Sequence, residues 1–593
     1  MTTRTHARRR NAEHWTALLG LDQRLRTIVP TALLVVCIAA IPLHTVWGRV
    51  LIASCASVVA VVGTVSWAGF TAPQWITRRL QVAIRRHRPL RTVVADDQDT
   101  DEPDATADPG TPSGDAEAAP AEGDTGAEPA APAAPPARRV ILPITAVSSG
   151  DEVGVDWSNG QLVAALDLHG HPLVPHQLYQ RQITSTATIP IAELEARLGS
   201  LTGGEAPATV DLVFETRRLT PTRYSVTYDT QLSGQPVAGY RRTLLICRFD
   251  PSANPAYYAA RQSLPDAVAA TMARIRRTVA VADCPATALT GPQLKALRHS
   301  TSPATRAIPD RSAGEDAAAL ERWTHIAPDS SRGSYDTVYA IDPGALTDDR
   351  IRDLWAIRAD AVVVTLRRDQ RGWSGFVRVR TASAPSGPPL PFVRALPGQQ
   401  AAAVAIGRPV ADQEPVRTIF EPVESLAGLT LPAGPDGQVL GADELGRQLL
   451  LPVVPGADRI IRARVDLMYA QQQILRAEAT GANITIVTNT PQRWAPLASP
   501  RIAVVPDDAE LPIGPGELHV YDDGMAPPQN AGATTLSLIA PGGPEPKGPI
   551  TLDQAGDMIT VTAGGSTYQI RRRIDPAELA YLPAARTISR GRR

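Results

Sequence analysis

Three histidines come closest to a reactive constellation in this chain. His169, His171 and His176 fall within one short stretch, and an H-x-H pair can place two imidazole nitrogens on one metal ion. No cysteine and no closely following acid completes a tetrahedral set, and Gly170 and Pro172 set a turn there, so the stretch reads as a polar loop after a strand. Asp522 and Asp523 precede Gly524, which fits a turn in which Asp caps its own backbone better than an acid/base pair. D-x-D pairs of the glycosyltransferase kind occur only within an acidic run, at Asp97/Asp99 and Asp99/Asp101. No G-x-x-x-x-G-K-[ST] phosphate loop and no G-x-S-x-G elbow is present. The turns at Asp250-Pro251-Ser252-Ala253 and Asp342-Pro343-Gly344-Ala345 lack the glycine spacing that brings a backbone against a pyrophosphate. The four cysteines, Cys37, Cys55, Cys247 and Cys284, form no C-x-x-C pair and no disulfide framework, in agreement with a reducing cytoplasm. The expectation is a chain with no catalytic, cofactor-binding or metal-binding residues of its own.

The elements around these residues are more informative. Residues 28–47 and 50–70 are apolar and each is long enough to cross a bilayer as a helix, with Gly48 and Arg49 between them. They are expected to form a transmembrane helical hairpin. Arg4, Arg8, Arg9, Arg10, Arg24 and Arg26 precede it, and Arg78, Arg79, Arg85, Arg86, Arg88 and Arg91 follow it, so both flanks are expected in the cytoplasm. Trp47, Trp67 and Trp75 suit interfacial anchors, His44 suits the turn, and Ala53 with Ser57 gives the second span a small-residue face. Within the basic juxtamembrane segment 71–94, Arg78, Arg79, Arg85 and Arg86 are placed to meet anionic headgroups at ~1 kcal/mol each. Lys and Arg number 59 against 60 Asp and Glu, so the chain lacks the basic excess of a nucleic-acid binder.

Residues 95–138 change abruptly to Ala, Pro, Gly, Asp and Glu, the composition of a disordered acidic linker. Beyond it, 139–297 reads as a first α/β part. Alternating apolar residues on both sides of Asn159-Gly160 predict a β-hairpin, and a strand over 242–249, a capped helix over 263–277 and a strand over 278–283 predict a βαβ-like unit. A polar connector, 298–333, leads to a second α/β part at 334–495. There a strand over 336–341, a helix near 349–358, a hairpin of 361–366 with 376–381, a strand over 449–454, a helix over 457–479 ended by Gly481 and a strand over 482–488 are expected. Short strands between Gly/Pro turns over 496–593 suggest a small β-rich C-terminal module. The expected fold class is therefore an α/β cytoplasmic region anchored by an N-terminal two-helix transmembrane hairpin.

This order of parts, with Gly150-Asp151-Glu152-Val153-Gly154-Val155-Asp156-Trp157, the strand-helix-strand around Cys247 and the α/β region closing at Ala482-Asn483-Ile484-Thr485-Ile486-Val487, resembles EccE, a membrane component of the type VII (ESX) secretion system of actinobacteria. The resemblance implies assembly with EccB, EccD and the ATPase EccC in an inner-membrane translocation complex, with this chain as a stabilising subunit. The leading expectation is a non-catalytic structural subunit. The rival is a membrane-anchored cytoplasmic enzyme such as a nucleotide-sugar-dependent transferase, since an α/β fold does not settle function.

Overall fold

The computed structural model describes residues 66–67, 70–71, 140–145 and most of 152–584. The chain divides into two compact units, 1–91 and 92–593. In the first, Ser66–Trp67 pairs antiparallel with Phe70–Thr71. This corrects the expected transmembrane helix over 50–70: the described residues at its C-terminal end are short antiparallel strands, with Trp67 opposite Phe70. Among the described residues no helix is long and apolar enough to cross a membrane, so the multi-pass anchor finds no support there. The rest of the expected hairpin, the arginines of 71–94 and the acidic linker lie outside the described residues.

The second unit is rich in β-structure. Its strands form two twelve-stranded sheets, and seven α-helices accompany them among the described residues. The first sheet is antiparallel throughout. From one edge to the other its main path runs Thr305–Arg306, Thr324–Ile326, Ser334–Ile341, Gly372–Thr381, Ala361–Asp369, Thr209–Arg217, Tyr240–Phe249, Gln161–Leu168, Glu152–Ser158 and Val140–Thr145. The strand Ala286–Ala288 pairs with Gln161–Leu168, and Val393–Ala395 pairs with Ser334–Ile341. The central strands are buried on both faces: Leu212, Phe214, Leu245 and Cys247 join one core, while Val213, Leu244 and Ile246 join another on the opposite side. Such strands read as continuous apolar runs, which is how the chain spells them.

The hairpin at Asn159-Gly160 forms with Gly160 at φ +77°, and Ser158 pairs with Gln161 across it. The expected βαβ-like unit does not form. Its helix runs on through the expected strand, from Leu264 to Val281, because Met272, Ile275 and Val279 continue one buried face at i, i+3 and i+7. Ser263 caps it as expected, accepting from the Asp266 amide. The following strand, Ala286–Ala288, then pairs antiparallel.

The second sheet runs Ile502–Val505, Asn483–Val487, Glu517–Tyr521, Thr534–Ile539, Ile460–Arg464, Ile550–Ala555, Met558–Ala563, Ser566–Arg571, Gln438–Ala442, Gln448–Leu451, His176–Tyr179 and Gln182–Thr184. Its first six strands are parallel and the others antiparallel. Two expectations are corrected here. The C-terminal strands are not a small separate module but share this sheet with Gln438–Ala442 and with a hairpin from residues 176–184. The helix expected over 457–479 begins only at Leu467, since Ile460–Arg464 alternates with period two as a strand and Asp466 caps the helix by accepting from the Tyr469 amide. Among the described residues, the helix Leu467–Ala479 between Ile460–Arg464 and Asn483–Val487 is an α/β crossover in a unit whose sheets are otherwise largely antiparallel.

Candidate functional site

Four buried polar clusters organise the second unit. In the first sheet, Asp211 on Thr209–Arg217 is fully buried between two arginines of neighbouring strands. Arg248 Nη1 donates to it at 2.8 Å, and Arg367 donates through Nε at 2.6 Å and Nη2 at 2.7 Å. The Gly407 amide adds a bond at 3.2 Å, and Arg248 also donates to the carbonyls of Arg408 and Val410. One carboxylate thereby fixes three strands and the loop over them. Burial alone would raise the Asp211 carboxyl, but Arg248 and Arg367 overrule it and hold it far below the usual carboxylate range.

A second cluster joins the two sheets. Arg241, 1% exposed on a first-sheet strand, donates to both oxygens of Asp436 at 3.1 Å and to the Gly434 carbonyl, while the Ala238 amide donates to Asp436 at 2.7 Å. The Arg241 guanidinium lies 5.0 Å above the Trp355 ring. His176, buried on a second-sheet strand, faces this pair. Burial holds its imidazole down at about 4, with Asp436 opposing that fall and Arg241 adding to it.

The third cluster surrounds the crossover helix, where every residue from Tyr469 to Ala479 is buried. Its three successive glutamines each meet a different wall. Gln471 donates to the Arg493 carbonyl, Gln472 to Glu578 and the Arg573 carbonyl, and Gln473 accepts from Gln438. Glu578, 1% exposed, also accepts from Arg476 at 3.0 Å, from Tyr224 and from the Asp575 amide, so the C-terminal segment is strapped onto the helix.

The fourth lies at the carboxyl ends of the parallel strands. The chain leaves Asn483–Val487 toward the outer strand Ile502–Val505 and leaves Glu517–Tyr521 in the opposite direction, which makes the gap between them the switch point where open α/β sheets hold ligands. Asp522 occupies it, 2% exposed, and accepts from Trp494 Nε1 at 2.6 Å, Thr488 at 3.0 Å and Thr490 at 3.3 Å. The Trp494 indole is fully buried against it, so Asp522 acts as a strut between two loops.

The residues singled out in the sequence are scattered among these elements. His169 follows the strand Gln161–Leu168 and bonds Thr287 at 2.9 Å, His176 sits in the inter-sheet cluster, and His171 lies outside the described residues. Cys247 and Cys284 are free and buried, and burial pushes their thiols up to about 12 and about 11. Asp522 is a buried acceptor, and Asp523 lies outside the described residues. Sequence reasoning missed Trp494 and Thr488 as the partners of Asp522. Two hydroxyl-bearing residues directly after one parallel strand and an acid directly after its neighbour were the available signal.

Residues 237–341 match a family model described as "Putative type VII ESX secretion system translocon, EccE". That span carries the strand Tyr240–Phe249, the helix Leu264–Val281 and the strand Ser334–Ile341, the spine of the first sheet. Over 376 residues the chain is also 25% identical to "ESX-2 secretion system protein EccE2" of Mycobacterium tuberculosis (strain CDC 1551 / Oshkosh). Over these stretches the chain is similar to EccE proteins. The match takes in 61% of this chain and spans 65% of that relative's length. Arg241, Arg248 and Cys247 lie within the matched stretch.

Proposed function

We propose that this chain is a non-catalytic subunit of a type VII secretion translocon, which works by binding other subunits, EccB, EccC and EccD among them. The observation that carries this reading is the EccE match over residues 237–341, supported by the similarity to an ESX-2 secretion protein. The geometry agrees with it. Asp211, Asp436, Glu578 and Asp522 are each held by arginines, amides, hydroxyls or an indole inside the fold, an arrangement that builds a rigid frame. The place of action on this reading is the membrane translocon, reached through its partners.

The test is affinity purification of the tagged full chain from its native host in mild detergent, followed by native sizing and mass spectrometry. Recovery in a large particle with EccB, EccC and EccD is the expected result. A small monodisperse species with none of them overturns the reading, and a screen of that species for nucleotide-sugar turnover would then be the next measurement.

A further inference from the structure

We infer that one open face of the second sheet is a docking surface for an acidic protein surface of another subunit. The strand Ile460–Arg464 has parallel neighbours on both sides, a setting in which both faces are ordinarily covered. Here Ile461 and Ala463 point into the core with Ile550, Leu552, Ile559, Val561 and Ile570, while the opposite face carries polar side chains, of which Arg462 and Arg464 also donate to the carbonyls of Lys547 and Gly543. Across it the register lines up Arg462, Thr551, Thr562 and Thr567 in one row. The next row carries Arg464, Asp553, Thr560 and Gln569, and Arg571 lies in the third. Every one of these side chains is half-buried or exposed.

Charge fixes the kind of partner. Arg464 is matched by Asp553, through bonds of 2.6 and 2.5 Å. Arg462 donates to the Lys547 carbonyl, which leaves its charge uncompensated by that contact, and Arg571 reaches only an exposed Glu444 at 3.4 Å. Three arginines meet two carboxylates, Asp553 and the exposed Glu444, and this excess of positive charge set among threonine hydroxyls suits a flat surface rich in carboxylates. Four strands at ~4.8 Å and three side-chain rows at ~6.8 Å cover about 400 Å². A stand-alone interface needs about 800 Å² per partner, so this patch suits one contact among several in a larger assembly, not a dimer of this chain.

This inference rests on the translocon reading, and the test separates the two. The full chain is purified from its native host as wild type, as Arg462→Glu with Arg571→Glu, and as Arg371→Glu, a charge reversal on an exposed first-sheet turn. The double variant is expected to recover at least tenfold less of one translocon subunit, and Arg371→Glu to match wild type. A photo-crosslinking side chain at the exposed position 567 is expected to capture a translocon subunit, and it serves as the second readout should the double variant fold poorly. If wild type recovers the subunits, and both the double variant recovers them equally and position 567 yields no adduct, the docking face is overturned alone. If wild type recovers none, the translocon reading falls and this inference with it.

Discussion

Asp211 shows how much one side chain can carry in this fold. With no exposure and two arginine partners, it cannot be removed without stranding buried cations. Asp211→Ala is expected to lower unfolding free energy by about 3–5 kcal/mol, read from denaturant midpoints. Because its folded carboxyl lies far below the ordinary range, the stabilisation is complete above that range and fades as acid carries the pH down through it. His176 has the opposite chemistry and the same direction of effect. The unfolded imidazole takes its proton near 6.5 and the folded one only near 4, so stability is intact above 6.5 and erodes as pH falls between those values. The slope is expected to reach about 1.4 kcal/mol per pH unit at most. His176→Asn should flatten the change in urea midpoint between pH 7 and pH 5; an unchanged slope would mean that another group titrates there.

At the scale of elements, Gly154 explains part of the motif that carried the family resemblance. Its amide donates to the Leu289 carbonyl at 2.7 Å, and a Cβ at this position would meet the Thr290 and Gly291 backbone at about 2.5 Å. Gly154→Ala is therefore expected to push the helix Gly291–Ser300 off the strand Glu152–Ser158, destabilising the chain by about 1–3 kcal/mol and speeding hydrogen exchange in that helix. The motif was legible in the sequence; its cause was not, since the backbone it must accommodate lies over 130 residues further along. Turns and caps were the most readable parts, as at Asn159-Gly160 and Ser263, because their determinants are local. The strand expected over 278–283 was misplaced, because the helix Leu264–Val281 continues through it and the strand that pairs with Gln161–Leu168 comes only at Ala286–Ala288. The glutamines at 471–473 were unreadable because on an isolated helix they mark a solvated face, whereas here each is bonded to a different distant segment, at Arg493, Glu578 and Gln438.

The second unit is interleaved. Residues 176–184 leave the first sheet, pair with Gln448–Leu451 at the edge of the second, and the chain then returns to the first sheet at Thr209. Cutting between 430 and 436 therefore separates this hairpin from its partner strand and Arg241 from Asp436. A fragment of 139–432 is expected to be insoluble or molten when produced alone, and to recover a cooperative transition when produced together with 433–593. Independent folding of both pieces would refute the interleaving.

That same hairpin sets a clock on synthesis. Gln448 leaves the ribosome about 260 residues after Thr184, so at ~5–20 residues per second the strands His176–Tyr179 and Gln182–Thr184 wait roughly 13–50 seconds for their partner. Throughout that interval the nascent chain holds an unpaired β-edge, and its yield is expected to depend on translation speed between those two points.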